Sequence, residues 1–133
     1  MNAERAEGLK EGVMPYLLLI VEEGERRRNR SAEEGRLAYE RMLRFTEDLK
    51  TRGVLAASDS LRSDAEGMRI AVRGGKRIVV DGPFAESKEI VGGFFLLDCR
   101  TKEQAVAIAG ECPATEWATV EVREIGRCWE GND

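Results

Sequence analysis

Histidine is absent from the 133 residues of this chain. Its absence removes the commonest general base and the commonest metal ligand of proteins. Catalytic pairs of serine or cysteine with histidine, and metal centres built on imidazole, are therefore excluded within one chain. Any catalysis has to use aspartate, glutamate, lysine, tyrosine, cysteine or a bound cofactor, and the remaining pattern predicts neither a metal nor a cofactor.

Cysteine is scarce, and its three residues are far apart at Cys99, Cys112 and Cys128. An odd number of widely spaced cysteines fits reduced thiols better than a disulfide framework or a zinc site. We therefore interpret all three as structural or surface cysteines, as expected for a cytoplasmic protein.

Long apolar runs are missing as well, since the longest covers only residues 16–21. A membrane-spanning helix needs about 20 apolar residues, and the N-terminus lacks the apolar core of a signal peptide. The net charge of −4 argues against direct binding of nucleic acid, which depends on a basic surface. We expect a cytoplasmic protein without membrane or nucleic-acid contacts.

The length fits one domain. Residues 1–13 are polar and without periodicity, so they are predicted to be a tail before a domain at 14–127, with a second tail at 128–133. Residues 10–12 can be encoded by codons that resemble a ribosome-binding site, which suggests Met14 as the native start. Mass spectrometry of protein from its source organism tests this hypothesis, and an intact peptide of residues 1–13 would overturn it.

Two helices are predicted from their caps. Residues 31–34 and 101–104 each fit a capping box, in which a Ser or Thr side chain caps the helix and a Glu or Gln reaches back. The first helix should end near Arg52, before Gly53, and the second before Pro113. Helical spacing predicts a buried stripe on the first helix at Ala38, Met42, Phe45 and Leu49.

A basic run at residues 26–30 precedes the first helix. A basic run at a helix N-terminus can bind phosphate, but in an acidic protein we favour a solvated loop. Strands are predicted at residues 15–22, 54–61, 68–73, 77–80, 90–98 and 117–125, with a hairpin turn at Gly74 and Gly75. The strand at 68–73 alternates apolar and polar residues, which predicts one wet face.

This order predicts an α+β fold, a ferredoxin-like split β-α-β sandwich with an inserted β-hairpin. Both helices then lie on one face of the sheet. The strands at residues 15–22 and 90–98 are apolar on both faces, so the second face also needs cover. A homodimer that packs face to face would bury it.

The most distinctive stretch covers residues 81–89, Asp-Gly-Pro-Phe-Ala-Glu-Ser-Lys-Glu, followed by the glycine pair Gly92 and Gly93. Asp-Gly-Pro is typical of a turn. A glycine pair inside a strand is typical of a bulge or of close backbone approach. Ionisable side chains lie between the turn and the glycine pair, at the start of a buried strand, where binding groups are common.

The stretch resembles the signature of the DGPF branch of the YCII-related family, and the resemblance extends over about residues 14–125. It implies a dimeric α+β barrel, in a family whose members mostly lack an assigned function. The YCII branch carries a His–Asp pair proposed to be catalytic. That pair has no counterpart here because this chain has no histidine, and only Asp81 matches a position of a family motif.

The candidate site follows from this stretch. Asp81 and Glu86 are the candidate catalytic carboxylates, for proton transfer if burial raises the pKa of one of them. The wider set of ligand-binding or interface candidates is Asp81, Gly82, Pro83, Phe84, Glu86, Lys88, Glu89 and Gly93. A structural interpretation stays open beside it, with Asp81 bonding within its own turn and the other charges facing water or the dimer seam.

Two functions remain open. The first is a homodimer that binds a small molecule between sheet and loops, with or without carboxylate acid–base chemistry. The second, implied by the resemblance alone, is a non-catalytic regulatory partner linked to sigma factors of the extracytoplasmic type. An enclosed pocket lined by motif residues would favour the first, and an exposed apolar patch left after dimerisation would favour the second.

Overall fold

The computed structural model describes residues 14–129. The predicted N-terminal tail and most of the predicted C-terminal tail therefore lie outside the described residues. Within this range the chain forms strands and helices in a mixed order, which confirms the α+β class. The strands are β1 (Met14–Glu23), β2 (Leu55–Ser60), β3 (Met68–Arg73), β4 (Lys76–Asp81), β5 (Glu89–Cys99) and β6 (Thr119–Glu124). The helices are α1 (Gly24–Asn29), α2 (Ala32–Thr51) and α3 (Lys102–Glu111), and short 3₁₀ turns occupy Asp64–Glu66 and Pro113–Glu116.

Four strands form an antiparallel sheet in the order β2-β5-β1-β6. The hairpin of β3 and β4 is a separate two-stranded sheet inserted between β2 and β5. The long central strands β1 and β5 pair along their whole lengths, interrupted by a bulge where Ile20 pairs with Gly93 and Val21 pairs with Val91. Gly92 is the extra residue of this bulge, which bends the sheet at the glycine pair.

The core lies between this sheet and the helices α2 and α3. Alternate residues of β1 and β5 point into it, and Phe45 of α2 meets Phe95 of β5 edge to face, with ring centroids 5.3 Å apart. The predicted helix stripe is confirmed at Phe45 and Leu49, which are buried, while Met42 packs against the core from its margin. The remaining buried core side chains are Tyr16, Leu18, Ile20, Leu97, Cys99, Ala105, Ile108, Ala109, Cys112 and Ala114.

The predicted capping boxes differ in their details. At α2 the box is complete, because Ser31 Oγ accepts from the Glu34 N–H and Glu34 Oε1 accepts from the Ser31 N–H. At α3 the Thr101 hydroxyl caps the Gln104 N–H as predicted, but the Gln104 side chain accepts from the Arg100 N–H instead of the Thr101 N–H. Gln104 therefore ties the helix to the strand that precedes it.

The basic run at residues 26–30 is not a solvated loop. Its first four residues belong to the short helix α1, whose first residue, Gly24, donates its N–H to the Lys88 carbonyl at 3.2 Å. Arg27 and Arg28 reach from this helix to partners elsewhere in the chain, described below. Basic residues in the last turn of a helix also suit its negative end. Sequence reasoning treated the charges as surface groups and missed these partners.

The hairpin of β3 and β4 departs from the prediction of one wet face. Its apolar residues Met68, Ile70 and Val72 are 61%, 65% and 62% exposed, and the apolar residues of β4 are exposed as well. The face of the main sheet that points away from the helices is also only half-buried at Leu17, Leu19 and Val21. An apolar surface of this extent is unusual for a protein that acts as a monomer.

No helix in the described part of the chain combines the length and the hydropathy needed to cross a lipid bilayer.

Candidate functional site

The motif turn lies against the 3₁₀ turn Asp64–Glu66. The Gly82 N–H donates to the Gly67 carbonyl at 2.9 Å, and the peptide bond between Gly82 and Pro83 is cis. A Cβ atom on Gly82 would overlap the Asp64 carbonyl oxygen. Glycine is needed here because two backbone segments approach closely, a role that the Asp-Gly-Pro pattern alone does not indicate.

Asp64 anchors the motif turn, although sequence reasoning did not identify it. Its side chain is 7% exposed and accepts from Arg28 Nη1 at 2.8 Å and from the Phe84 N–H at 3.2 Å. Burial alone would raise the pKa of this carboxyl. The hydrogen bonds from Arg28 and from the Phe84 N–H outweigh burial and hold the pKa below its ordinary value.

Phe84 is a packing residue. Its ring is buried, and the Arg69 guanidinium lies 3.9 Å from the ring centroid, in a cation–π arrangement. The same guanidinium donates to the Ser87 hydroxyl at 2.9 Å, which closes the loop after the motif turn. Pro83, beside Phe84, is exposed.

The charged residues of the motif do not meet in one cavity. Asp81, Glu86, Lys88 and Glu89 are all exposed. Glu89 and Phe84 line an open groove of about 760 Å³ on the side of the sheet away from the helices. The assignment of Asp81 and Glu86 as catalytic carboxylates stays a prediction, and the structure brings neither of them next to the cleft described below.

A deeper cleft lies on the helix side of the sheet. It has a volume of about 550 Å³ between α2 and the strands β2 and β5, within the size range of small-molecule sites. Apolar and aromatic side chains form about half of its lining, and the polar half includes the hydroxyl groups of Thr46, Ser58 and Ser60 besides the charged residues. Its lining includes Ile20, Glu22, Arg27, Arg30, Ala38, Met42, Lys50, Leu55, Asp59, Phe95 and Trp117.

The charged end of the cleft contains Glu22, Arg27 and Arg30. Glu22 is 9% exposed, and its two carboxylate oxygens lie 3.7 Å from Arg27 Nη1 and 3.5 Å from Arg30 Nη1. The second terminal nitrogen of Arg27 donates to the Leu61 carbonyl. Two guanidinium groups therefore share one buried carboxylate, and this end of the cleft carries a net positive charge.

The glycine pair makes room for this group. A Cβ atom on Gly92 would overlap the Glu22 carboxylate and lie 2.9 Å from Arg27 Nη1, while one on Gly93 would lie 3.0 Å from the Asp59 carbonyl oxygen. The bulge at Gly92 thus opens the space in which the Glu22 and Arg27 side chains meet. Of the predicted site residues, Gly93 lines this cleft, and its neighbour Gly92 touches the charged group.

Sequence reasoning missed Glu22, Arg27 and Arg30 as a group. Alternation along β1 places Glu22 on the same face as Leu18 and Ile20, so a charge on the core side of the strand was a readable signal. Buried carboxylates require a cationic partner, and the basic run that follows directly supplies one.

The family of this chain can now be stated. A sequence profile of the YCII-related domain matches residues 14–128. The chain belongs to the YCII-related family. It is also 51% identical over 35 residues to "Uncharacterized protein R00369" of Rhizobium meliloti (strain 1021), a stretch that covers 26% of this chain and 28% of that protein. The match thus spans only about a quarter of each chain, and the name of the relative assigns no activity.

The lowered pKa of Asp64 predicts a pH-dependent contribution to stability. In the unfolded chain the Asp64 carboxyl has a pKa of about 3.9. The stabilisation by Asp64 is therefore complete above that pH and is lost as the pH falls through the lower pKa of the folded state. Asp64→Asn should lower the free energy of unfolding by about 2 kcal/mol at pH 7, and the gap to wild type should narrow below about pH 4.

Urea unfolding at pH 7, 4 and 3 measures the difference in free energy of unfolding between wild type and Asp64→Asn. Glu66→Gln is the matched control, because Glu66 belongs to the same turn but is exposed and 3.6 Å from its partner Arg62. It should change stability little. A gap for Asp64→Asn that stays constant with pH would contradict the assignment of Asp64 as the charged anchor.

Gly92→Ala should disturb the charged end of the cleft more than the fold. The atoms it would displace are the ends of the Glu22 and Arg27 side chains rather than backbone, so we expect a loss of stability of about 1–3 kcal/mol and a changed ion-pair geometry. Gly110→Ala on α3 is the control, since its Cβ would meet nothing within 4 Å. A crystal structure of Gly92→Ala with Glu22 and Arg27 unmoved would contradict this account.

Proposed function

We propose that this protein is a homodimer that binds a small organic molecule in the cleft between α2 and the sheet. The observation that carries the proposal is the group formed by the buried Glu22 and the half-buried Arg27 and Arg30, at one end of a cleft that also has apolar and aromatic walls. A few polar groups at one end of an apolar cavity are typical of small-molecule sites, where they fix orientation and specificity. The glycine bulge that clears space for the group supports the same interpretation.

The motif turn serves this site indirectly. Arg28 of α1 holds Asp64, which holds the motif turn, while Arg27 of the same helix reaches the cleft. The turn thus fixes the short helix that supplies a cleft arginine. We propose this positioning role for residues 81–84, and the acid–base role of Asp81 and Glu86 remains a separate prediction.

We also propose that the chain belongs to the DGPF branch of the family and forms a ferredoxin-like dimeric α+β barrel. The motif at residues 81–89 supports placement in the DGPF branch, and the strand order β2-β5-β1-β6 supports a ferredoxin-like arrangement. In a dimeric α+β barrel the sheet faces without helices pack together. The half-buried Leu17, Leu19 and Val21 fit such an interface, and β6 places Glu121 beside Arg123, so that a twofold axis could pair opposite charges.

The regulatory alternative draws on one observation, the exposed apolar hairpin of β3 and β4. In the homodimer this hairpin would extend the apolar sheet face and be covered by the second copy. A partner such as a sigma factor would instead require the hairpin to remain exposed in the dimer. The oligomeric state and the bound mass therefore separate the two functions.

Filling the cleft should abolish ligand binding. Ala38 lines the cleft from α2, so Ala38→Trp should remove any small mass that wild-type protein carries in native mass spectrometry after gentle purification from its own organism. Leu37→Trp is the control, because Leu37 lies on the exposed side of the same helix. A ligand retained by Ala38→Trp would place the binding site elsewhere, and a bare dimer that holds a second protein would favour the regulatory function.

Light scattering after size exclusion tests the proposed dimer face. Wild-type protein should have twice the mass of the chain, and Leu19→Glu should be a monomer because it places a charge in the centre of an apolar interface. Leu37→Glu on the exposed side of α2 should remain a dimer. A dimeric Leu19→Glu protein would show that the outer sheet face is not the interface.

A further inference from the structure

We propose that the cleft selects an organic monoanion, a carboxylate carried on an apolar or aromatic body. This inference rests on the proposed function and names the class of ligand for the same cleft. It follows from the charge balance, the unused hydrogen-bond donors and the shape of the cleft.

The charge balance favours one negative charge on the ligand. Among the groups that line this end of the cleft, two arginines face the single carboxylate of Glu22, and Glu34 lies close to Arg30 in the adjoining groove. Over the whole lining, the cations Arg27, Arg30 and Lys50 face the carboxylates Glu22 and Asp59, so the balance is again positive by one. A dianion such as a phosphate monoester would leave a second negative charge close to the buried Glu22, where like charges repel strongly.

Unused donors indicate where the ligand carboxylate binds. Arg27 Nη1 is buried and makes no hydrogen bond within the described part of the chain, because Glu22 at 3.7 Å is too far away. Arg30 Nη1 is only loosely paired at 3.5 Å. A guanidinium has five N–H donors in a planar fork that matches a carboxylate. A ligand carboxylate at this end of the cleft would reach the partly exposed Arg30 guanidinium directly, while the buried Arg27 would contribute through its charge.

Because Arg27 is held in a fixed position, the site discriminates between anionic and neutral ligands as well as attracting anions. Arg27 is held from the other side by the Leu61 carbonyl, and the Leu61 N–H in turn donates to the Gly92 carbonyl at 2.9 Å. The guanidinium is therefore in place before a ligand arrives, which lowers the entropic cost of binding. Burial of unpaired donors also penalises a neutral ligand that cannot accept as strongly.

The rest of the cleft determines the body of the ligand. Ile20, Met42, Leu55, Phe95 and Trp117 line it beyond the charged end. Apolar walls of this kind favour a body that has few polar groups, such as a ring or a short alkyl chain. The ligand class is thus an aromatic or aliphatic acid.

Calorimetry with matched acid and amide pairs tests the proposal. The probes are indole-3-acetate with indole-3-acetamide, 3-phenylpropanoate with 3-phenylpropanamide, and octanoate with octanamide, each on the full chain at pH 7. We expect at least one acid to bind at least about 10-fold more tightly than its amide, a difference of about 1.4 kcal/mol. Phenyl phosphate is the dianionic probe and should bind more weakly than the best acid.

Variants assign the selectivity to the proposed residues. Arg30→Gln should remove the preference for the acid and leave binding of the amide unchanged. Arg44→Gln is the control, because it removes the same charge from an exposed position of α2. Glu22→Gln should bind the acid several-fold more tightly, because the carboxylate that competes for both arginines is gone, and thermal unfolding shows whether this variant is folded.

The outcomes distinguish the two proposals. Equal binding of acid and amide would overturn the monoanion proposal and leave small-molecule binding intact. Tighter binding of phenyl phosphate, or a preference for the acid that survives in Arg30→Gln, would also overturn it. If no acid or amide binds, and Ala38→Trp matches wild type in native mass spectrometry, the proposed function fails and this inference fails with it.

Discussion

The arginines around the short helix α1 pair with two nearly buried carboxylates, and the arrangement of the site depends on this pairing. Arg28 binds Asp64, while Arg27 and Arg30 share Glu22. Removing one partner of a buried ion pair is costly, since the remaining charge keeps its desolvation penalty without compensation. The three arginines therefore fix α1 against the sheet on one side and against the motif turn on the other. Cleft and motif become parts of one assembly although they are distant in sequence.

This pairing also explains why glycine recurs where it does. The Gly82 backbone approaches the Asp64 carbonyl, and Gly92 makes room for the Glu22 carboxylate and Arg27. Gly92 thus stands next to one paired carboxylate, and Gly82 stands against the backbone of Asp64, which carries the other, so a side chain at either position would compete for space. In this chain the turn and the glycine pair mark two close approaches, while the charged residues Asp81, Glu86, Lys88 and Glu89 are exposed. The residue types alone would instead suggest that the charged residues are the more important ones.

The sequence predicts what depends on local patterns. The helices α2 and α3, their Ser31 and Thr101 caps, and the strands follow from period and capping residues, since these signals act over a few neighbouring positions. The contacts of Arg27 and Arg28 were not predicted, because their partners Leu61 and Asp64 are more than 30 residues away and no local pattern links them. The exposure of the β3–β4 hairpin was missed for a related reason. Alternation shows that a strand has two faces but not whether another layer covers either of them.

The helix-side cleft and the apolar outer face lie on opposite sides of the main sheet, and this separation bears on how the protein functions. The helix-side cleft is closed by α2 of the same chain, so it does not need a second copy to be complete. The outer face and the hairpin expose apolar side chains, and alternation along β5 places the buried carboxylate of Asp98 on the outer side of the sheet. Because β5 contributes to both sides through alternate residues, substitutions on one side leave the side chains of the other in place. The proposed ligand binding and the proposed assembly can therefore be tested independently, and a variant that loses one while keeping the other separates a ligand site from an interface.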